Sequence, residues 1–318
     1  MSFFSASLRS LRRLTTQVDK FNVVVGGWYR AAGPASRAAG PTSAVRTMST
    51  AETTKQEPIV LTTEKNGIRT ITLNNPKKRN ALSIAMIEAL IADIRKNMDS
   101  EELRVIIIKA EENVFSSGHD LRELTSESGK GFHVKLFQRC TELMKLVQDV
   151  TVPVIAQVRG LATAAGCQLV ASCDLAVVSE SAQFATPGVN IGLFCSTPGV
   201  AIARAVPRKV AMEMLLTGTP ITAQEALIHG LVNKVVPNDR LDAETMKIAD
   251  RICETSRMVV ALGKATFYSQ VGLDRESAYR TAEQVMVSNL SLKDGQEGIK
   301  AFLEKRPPNW THGPETVS

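Results

Sequence analysis

Apolar positions along the chain recur with two different periods. Pro58–Thr63 and Ile68–Leu73 alternate apolar and polar side chains, as a half-buried strand does, and Asn66-Gly67 between them is a strong hairpin signal. Ser83 is a good helix N-cap, and Ile84, Ile87, Leu90, Ile91 and Ile94 follow at helical spacing. A further strand is expected from near Leu103, where Val105–Lys109 (VIIIK) reads as buried on both faces. A long helix is expected over Gly131–Val150 and a central strand from Pro153. Beyond Pro198 the pattern turns mostly helical. A short helix around Glu225–Ile228 closes at Gly230, Val232–Val236 reads as a last strand, and helices follow over Leu241–Cys253, Ser256–Gln270, Arg275–Leu290 and Leu292–Lys305. Repeated strand–strand–helix turns imply right-handed connections and a spiral.

The stretch Pro153–Gly192 organises the rest. Pro153–Val158 is a β-branched strand, Gly160 breaks it, and Ala164-Ala165-Gly166 opens a small-residue helix running to about Cys173. Asp174–Ser179 is the next strand. Such a turn leaves free backbone N–H groups at the helix start, where the helix dipole favours negative charge. Small side chains let a ligand approach that backbone. The same sequence also suits a tightly packed βαβ unit whose alanines serve only helix–strand contact. A second turn, Phe115–Leu121 (FSSGHDL), follows the VIIIK strand and is expected to lead into another helix.

Composition changes this picture mainly at the N-terminus. The 318 residues carry a formal net charge of +6, and all of it lies in residues 1–50, which hold Arg9, Arg12, Arg13, Lys20, Arg30, Arg37 and Arg46 against Asp19 alone. The remainder is neutral, so the basic balance says nothing of nucleic acid binding by the folded part. On a helical wheel Phe4, Leu8, Leu11, Thr15 and Val18 face away from Arg9, Arg12, Arg13 and Lys20. That is the pattern of a mitochondrial transit peptide, with removal expected near Arg46–Ser49; the alternative is a cationic tail. No apolar run reaches the ~20 residues that span a bilayer. The five cysteines include no CxxC pair, which argues against a zinc or thioredoxin-like site, and their odd number suits reduced thiols. Gly160–Gly166 is not GxGxxG and no ribose-binding acid follows it, which disfavours a dinucleotide fold.

Four ordered blocks together resemble the crotonase, or enoyl-CoA hydratase/isomerase, superfamily. They are Asn75–Leu82 (NPKKRNAL), Phe115–Leu121, Pro153–Gly192, and Asp294-Gly295-Gln296-Glu297-Gly298 with Phe302, Lys305 and Arg306. The resemblance spans roughly Pro58 to Trp310 and implies an α/β crotonase (ClpP/crotonase-like) spiral of ββα units. The implied organisation is a leader over 1–50, a spiral core over 51–250, and a helical C-terminal trimerisation region over 251–318.

The resemblance also implies chemistry. Members bind acyl-CoA thioesters and hold the thioester carbonyl between two backbone N–H groups, which fall on His119 and Ala165. Each such donor contributes about 3–4 kcal/mol in a transition state. The methyl of Ala165 is expected to narrow the site. Coenzyme A contacts fall on Lys78, Arg79 and Ala81, with Lys77 beside them, and on Ser117, Asp120 and Leu121, with Lys305 and Arg306 as C-terminal candidates. A solvated KKR turn is the plainer reading of the basic cluster. No cofactor is expected to be held permanently and no metal is implied; coenzyme A enters as part of the substrate. A homotrimer or hexamer in the mitochondrial matrix is expected.

The departure lies at the two glutamates with which hydratases handle water. Their positions fall on Gln168 and Gly188, and the dienoyl isomerase acid falls on Ser196. Glutamine exchanges no proton at neutral pH, and general acid–base groups are worth about 10²- to 10⁴-fold each. Neither Val150–Cys173 nor Ser181–Met212 contains an Asp or Glu to substitute. Gly188 is also a candidate for a glycine-only backbone conformation. His119 is open to two readings, a base, or a bystander whose ring lies against CoA or the surface. Cys195 and Ser196 are nucleophile candidates without an evident base, and Cys195 also reads as a packing residue. Gln168, Thr186 and Asn190 are candidates to hydrogen-bond a substrate group. Two functions fit: a non-hydrating acyl-CoA enzyme, such as a decarboxylase or thioesterase, using the two N–H groups alone, or a non-catalytic acyl-CoA-binding or regulatory protein of mitochondrial fatty acid metabolism.

Overall fold

The structure, a computed structural model, describes residues 57–317. The expected transit peptide lies outside the described residues. Strands β1 (Val60–Lys65) and β2 (Ile68–Leu73) form the hairpin, with Asn66 and Gly67 both at positive φ as its turn demands. The chain then repeats one unit three times. A strand of a large sheet is followed by a three-residue strand of a small sheet and then by a helix: β3 (Val105–Ala110), β4 (Val114–Ser116) and α2 (Gly129–Asp149); β5 (Val154–Val158), β6 (Leu161–Thr163) and α3 (Ala165–Ser172); β7 (Leu175–Ser179), β8 (Gln183–Ala185) and α4 (Ser196–Ala205). Helix α1 (Ile84–Arg95) precedes the first unit, capped by the Ser83 side chain, which accepts from the Met86 N–H.

The large sheet runs β1-β2-β3-β5-β7-β10, with β10 over Lys234–Val236, and is parallel from β2 onward. The small sheet runs β4-β6-β8-β9, with β9 over Ile221–Thr222, and β4, β6 and β8 are parallel. The VIIIK strand shows why its sequence lacks alternation. Ile106 and Ile108 enter the main core between sheet and helices, while Val105 and Ile107 enter a second core beneath the helix Leu241–Cys253. Each such side chain contributes about 1.5–3 kcal/mol on burial. The boundary expected at residue 250 falls within that helix.

The turn FSSGHDL differs from expectation: it leads into a 3-10 segment, Leu121–Leu124, and the long helix begins only at Gly129. The whole small sheet also departs from the reading of Gly160 as a simple break. At the C-terminal end, Arg257–Gln270 and Arg275–Leu290 contain no buried residue. The first is pinned to the core by Lys264. Its Nζ donates to the Val147 carbonyl (2.9 Å), the Val152 carbonyl (2.9 Å) and Asp174 Oδ2 (2.7 Å), and Tyr268 donates to Asp174 Oδ1. Among the described residues no helix is long and apolar enough to cross a membrane.

Candidate functional site

Parallel strands β4, β6 and β8 end on the same edge of the small sheet, the edge where α/β proteins place their ligands. Two residues after β4 comes Gly118, β6 leads directly to Ala164 and Ala165, and β8 to Thr186 and Gly188. The sequence segments singled out above therefore meet at one place.

Glycine and alanine are required there by close approach. Gly118 sits at φ +86°, and a Cβ on it would stand 2.8 Å from the Ala164 Cβ and 3.3 Å from the Ala165 nitrogen. A Cβ on Gly166 would stand 2.6 Å from the Ser116 carbonyl. Ala164 itself holds φ 48° and ψ −118°, a strained conformation for a residue with a Cβ that costs about 1–3 kcal/mol. That strain turns the chain so that α3 starts with the Ala165 N–H beside the Gly118-His119 peptide. Among the described residues neither the His119 nor the Ala165 N–H has a hydrogen-bond partner. Close packing and free N–H groups thus coexist, and the two readings of this turn are not exclusive. The methyl of Ala165 is fully buried within the main core.

The loop Asn75–Leu82 is tied to the same place. Ser117 N–H donates to the Arg79 carbonyl (3.0 Å), and Leu82 N–H donates to the Gly118 carbonyl (2.7 Å). The buried Ser116 hydroxyl donates to the Asn80 carbonyl (2.8 Å), and the Asn80 amide donates to Val114 (2.8 Å). Ser116 and Asn80 organise the site, and nothing in the sequence marks either beyond its place in the turns. Lys77, Lys78, Arg79 and Leu121 are exposed at the rim, Ser117 is half-buried, and Ala81 is buried. Lys78 Nζ stands 3.2 Å from Asp120 Oδ2. Asp120 Oδ1 accepts from the Arg122 N–H (3.1 Å) and caps the 3-10 turn. Burial pushes the Asp120 carboxyl up, but the Arg122 N–H and Lys78 outweigh it and hold it below its ordinary range. Both Asp120 oxygens are thus engaged within the protein, so its place here is to hold Lys78. Arg306, a CoA candidate from the sequence, is instead held by Glu297 through two bonds (2.6 and 3.0 Å) and by Glu304, while Lys305 is exposed.

The His119 ring is held by the protein itself. Its ring packs edge-on against Phe137 of α2, centroids 5.2 Å apart, with Nδ1 3.0 Å from the Leu82 carbonyl. A carbonyl only accepts, so Nδ1 carries the proton and Nε2 is left as a buried lone pair without a partner. Burial pushes its pKa below the ordinary value, which keeps the ring neutral.

Gln168 lies three residues along α3 from Ala165, and its Oε1 is buried without a partner, as is the hydroxyl of Thr186. Gly188 is buried but not at positive φ, which corrects the expectation of a glycine-only conformation. Its constraint is space: a Cβ would stand 2.6 Å from the Leu193 carbonyl and 2.8 Å from Cys195 Sγ. Cys195 is therefore a packing residue, and burial raises its thiol above the ordinary value, which weakens it as a nucleophile. Ser196 and Asn190 are exposed.

Comparison with known proteins identifies the family and the fold. The enoyl-CoA hydratase/isomerase family profile matches residues 63–313. The chain is 63% identical over 249 residues to human "Enoyl-CoA hydratase domain-containing protein 3, mitochondrial", covering 78% of this chain and 82% of the relative. The Xenopus laevis protein of the same name is 61% identical over 255 residues, covering 80% and 87% respectively. The crystal structure of the human protein superimposes with a TM-score of 0.79 at 61% identity, covering 80% of this chain and all of that one.

Proposed function

The chain belongs to the enoyl-CoA hydratase/isomerase family, and from that premise we propose that it binds acyl-CoA thioesters in mitochondria without hydrating them by the two-glutamate route. One observation carries the reading. The N–H groups of His119 and Ala165, without a hydrogen-bond partner among the described residues, lie on neighbouring turns, and the two positions where hydratases hold their acids carry a neutral amide, Gln168, and a glycine, Gly188, with no room for a side chain. Two backbone donors suffice to polarise a thioester carbonyl or stabilise an enolate oxygen. Moving a proton on and off water needs groups that titrate, and neither Gln168 nor Gly188 does.

In this reading Lys78, steadied by Asp120, and the exposed Lys77, Arg79 and Lys305 meet the phosphates of coenzyme A, while Ala81, Ser117 and Leu121 line its path. The apolar side chains left exposed on the C-terminal helices, among them Phe267, Tyr279, Met286 and Val287, support assembly into a homotrimer or hexamer. The mitochondrial name of the relatives and the amphipathic leader support import into the matrix.

Calorimetric titration of the purified protein with butyryl-CoA and free CoA, together with loss of conjugated-enoyl absorbance from crotonyl-CoA, tests the reading. Butyryl-CoA should bind more tightly than CoA, and crotonyl-CoA should disappear little above background. Brisk hydration, or equal affinity for CoA and its thioester, would overturn it. Turnover of other thioesters in a wider panel would make the protein a non-hydrating enzyme; binding without turnover would make it a carrier or regulator.

A further inference from the structure

We infer that the His119 side chain is a positioning residue: its ring, bonded to Leu82, holds the Gly118-His119 peptide in the orientation that presents the His119 N–H to a thioester carbonyl; the inference rests on the thioester reading above. Leu82 grips this peptide through both of its own backbone polar groups. Its N–H donates to the Gly118 carbonyl (2.7 Å), and its carbonyl accepts from His119 Nδ1 (3.0 Å). The Gly118 carbonyl and the His119 N–H belong to one trans peptide group, so they point in opposite directions. With the carbonyl fixed on Leu82, the N–H is turned away from Leu82, and among the described residues it has no partner.

A clamp is needed at this place. Turning a peptide plane over changes mainly the ψ of the residue before it and the φ of the residue after it, and Gly118, at φ +86°, has no side chain to oppose the turn. A flipped peptide would aim its carbonyl where the N–H now points and repel a thioester oxygen. The anchor on the other side is rigid. Leu82 is fully buried in the main core. Its loop is pinned by the Ser116 hydroxyl on the Asn80 carbonyl (2.8 Å), by the Asn80 amide on the Val114 carbonyl (2.8 Å) and by the Asn75 N–H on Asn80 Oδ1 (2.8 Å). The edge contact with Phe137 fixes the plane of the ring. Of the ring nitrogens only Nδ1 takes part, since Nε2 is buried without a partner. A bond accepted by a peptide carbonyl also polarises the N–H of the same peptide, by about 10–30% per bond, so Leu82 both aims the donor and strengthens it. The ring acts through the main chain and gives no proton to the ligand.

The test is infrared difference spectroscopy of butyryl-CoA, isotopically labelled at its thioester carbonyl and bound to the full chain, with calorimetric affinities for butyryl-CoA and free CoA. The proteins are wild type, His119→Leu, His119→Asn and His119→Gln. The asparagine amide stands in for the Nδ1–H donor, and the longer glutamine amide reaches instead to the place of Nε2. In wild type the bound carbonyl should absorb at lower frequency than the free one. His119→Leu and His119→Gln should lose at least half of that shift, while His119→Asn should keep most of it. Where the shift is lost, the preference for butyryl-CoA over CoA should fall about two- to tenfold, the range for one neutral hydrogen bond. A shift that survives His119→Leu in folded protein, or that His119→Gln keeps and His119→Asn loses, overturns the inference and leaves the thioester reading standing. If wild type binds no thioester, or binds it with an unshifted carbonyl, both fall. Should His119→Leu fail to fold, the contrast between His119→Asn and His119→Gln decides alone.

Discussion

Gly188→Ala isolates the reason why one acid position is empty. The backbone at Gly188 lies outside the left-handed region, so alanine meets no conformational penalty there. The penalty is contact. The new methyl carbon stands 2.6 Å from the Leu193 carbonyl oxygen, where ordinary contact begins at 3.4 Å, so the carbonyl must retreat by 0.8 Å (3.4 − 2.6). It is poorly placed to do so, because the Leu193 N–H donates to the Gly188 carbonyl at 2.9 Å and closes the loop on itself. Overpacking of this kind costs about 1–3 kcal/mol. At about 2–4 °C per kcal/mol for a domain of this size, Tm should fall by about 2–12 °C. Thermal unfolding followed by circular dichroism measures it. Adding Cys195→Ala removes the contact to Sγ, 2.8 Å away, but not the contact to the carbonyl, so it should recover only part of the loss. A Gly188→Ala protein within about 0.5 kcal/mol of wild type, the range of an unremarkable surface change, would refute the steric account. A glutamate at 188 carries the same clash, so the double variant Gln168→Glu, Gly188→Glu should lose stability before it gains hydration.

Other expectations follow from the same structure. Lys264→Met strands Asp174 beside Tyr268 with its ammonium partner gone; since the side chains are only 7% and 15% exposed, the loss should be about 3–5 kcal/mol in urea unfolding, and a change under 1 kcal/mol would count against the clamp. Because burial depresses the pKa of His119, the unfolded chain binds its proton more readily, so stability should be full above about pH 6.5 and fall as pH drops through the interval below it. His119→Asn, which can still donate to the Leu82 carbonyl, should flatten that part of the stability–pH curve relative to wild type, and an unchanged curve would show that the ring titrates freely. Lys78→Ala should weaken free CoA and butyryl-CoA by the same factor, roughly tenfold for a lost charge-assisted contact, whereas a loss confined to the thioester would place Lys78 on the acyl side.

The parts of the fold legible in the sequence were those with long, repeated spacing. The stripe Ile84, Ile87, Leu90, Ile91, Ile94 and the hairpin at Asn66-Gly67 stand where their patterns put them, and the helices Leu241–Cys253 and Arg275–Leu290 match residue for residue. The small sheet was not legible, because Val114–Ser116, Leu161–Thr163 and Gln183–Ala185 are each too short to show a period of two. At the site, the free N–H groups could be anticipated from the FSSGHDL and LATAAG turns. Three features there depend on partners distant in sequence. The direction of the His119 ring is set by Leu82 and Phe137, the capture of Arg306 by Glu297, and the crowding at Gly188 by Leu193 and Cys195. Nothing local encodes them.

The two unpartnered N–H groups at the ends of β4 and β6 belong to the main chain, and that bears on how such a protein can change. A hole made of peptide bonds is inherited as geometry. Nearly any residue supplies the same donor, so drift in side chains leaves it standing as long as the two turns keep their close approach. The groups that would move protons are side chains, each one codon change from disappearance. Recognition and reaction are therefore held under unequal mutational risk: a lineage on this scaffold can shed its chemistry quickly while retaining its grip on the ligand, and can later be recruited for that grip alone.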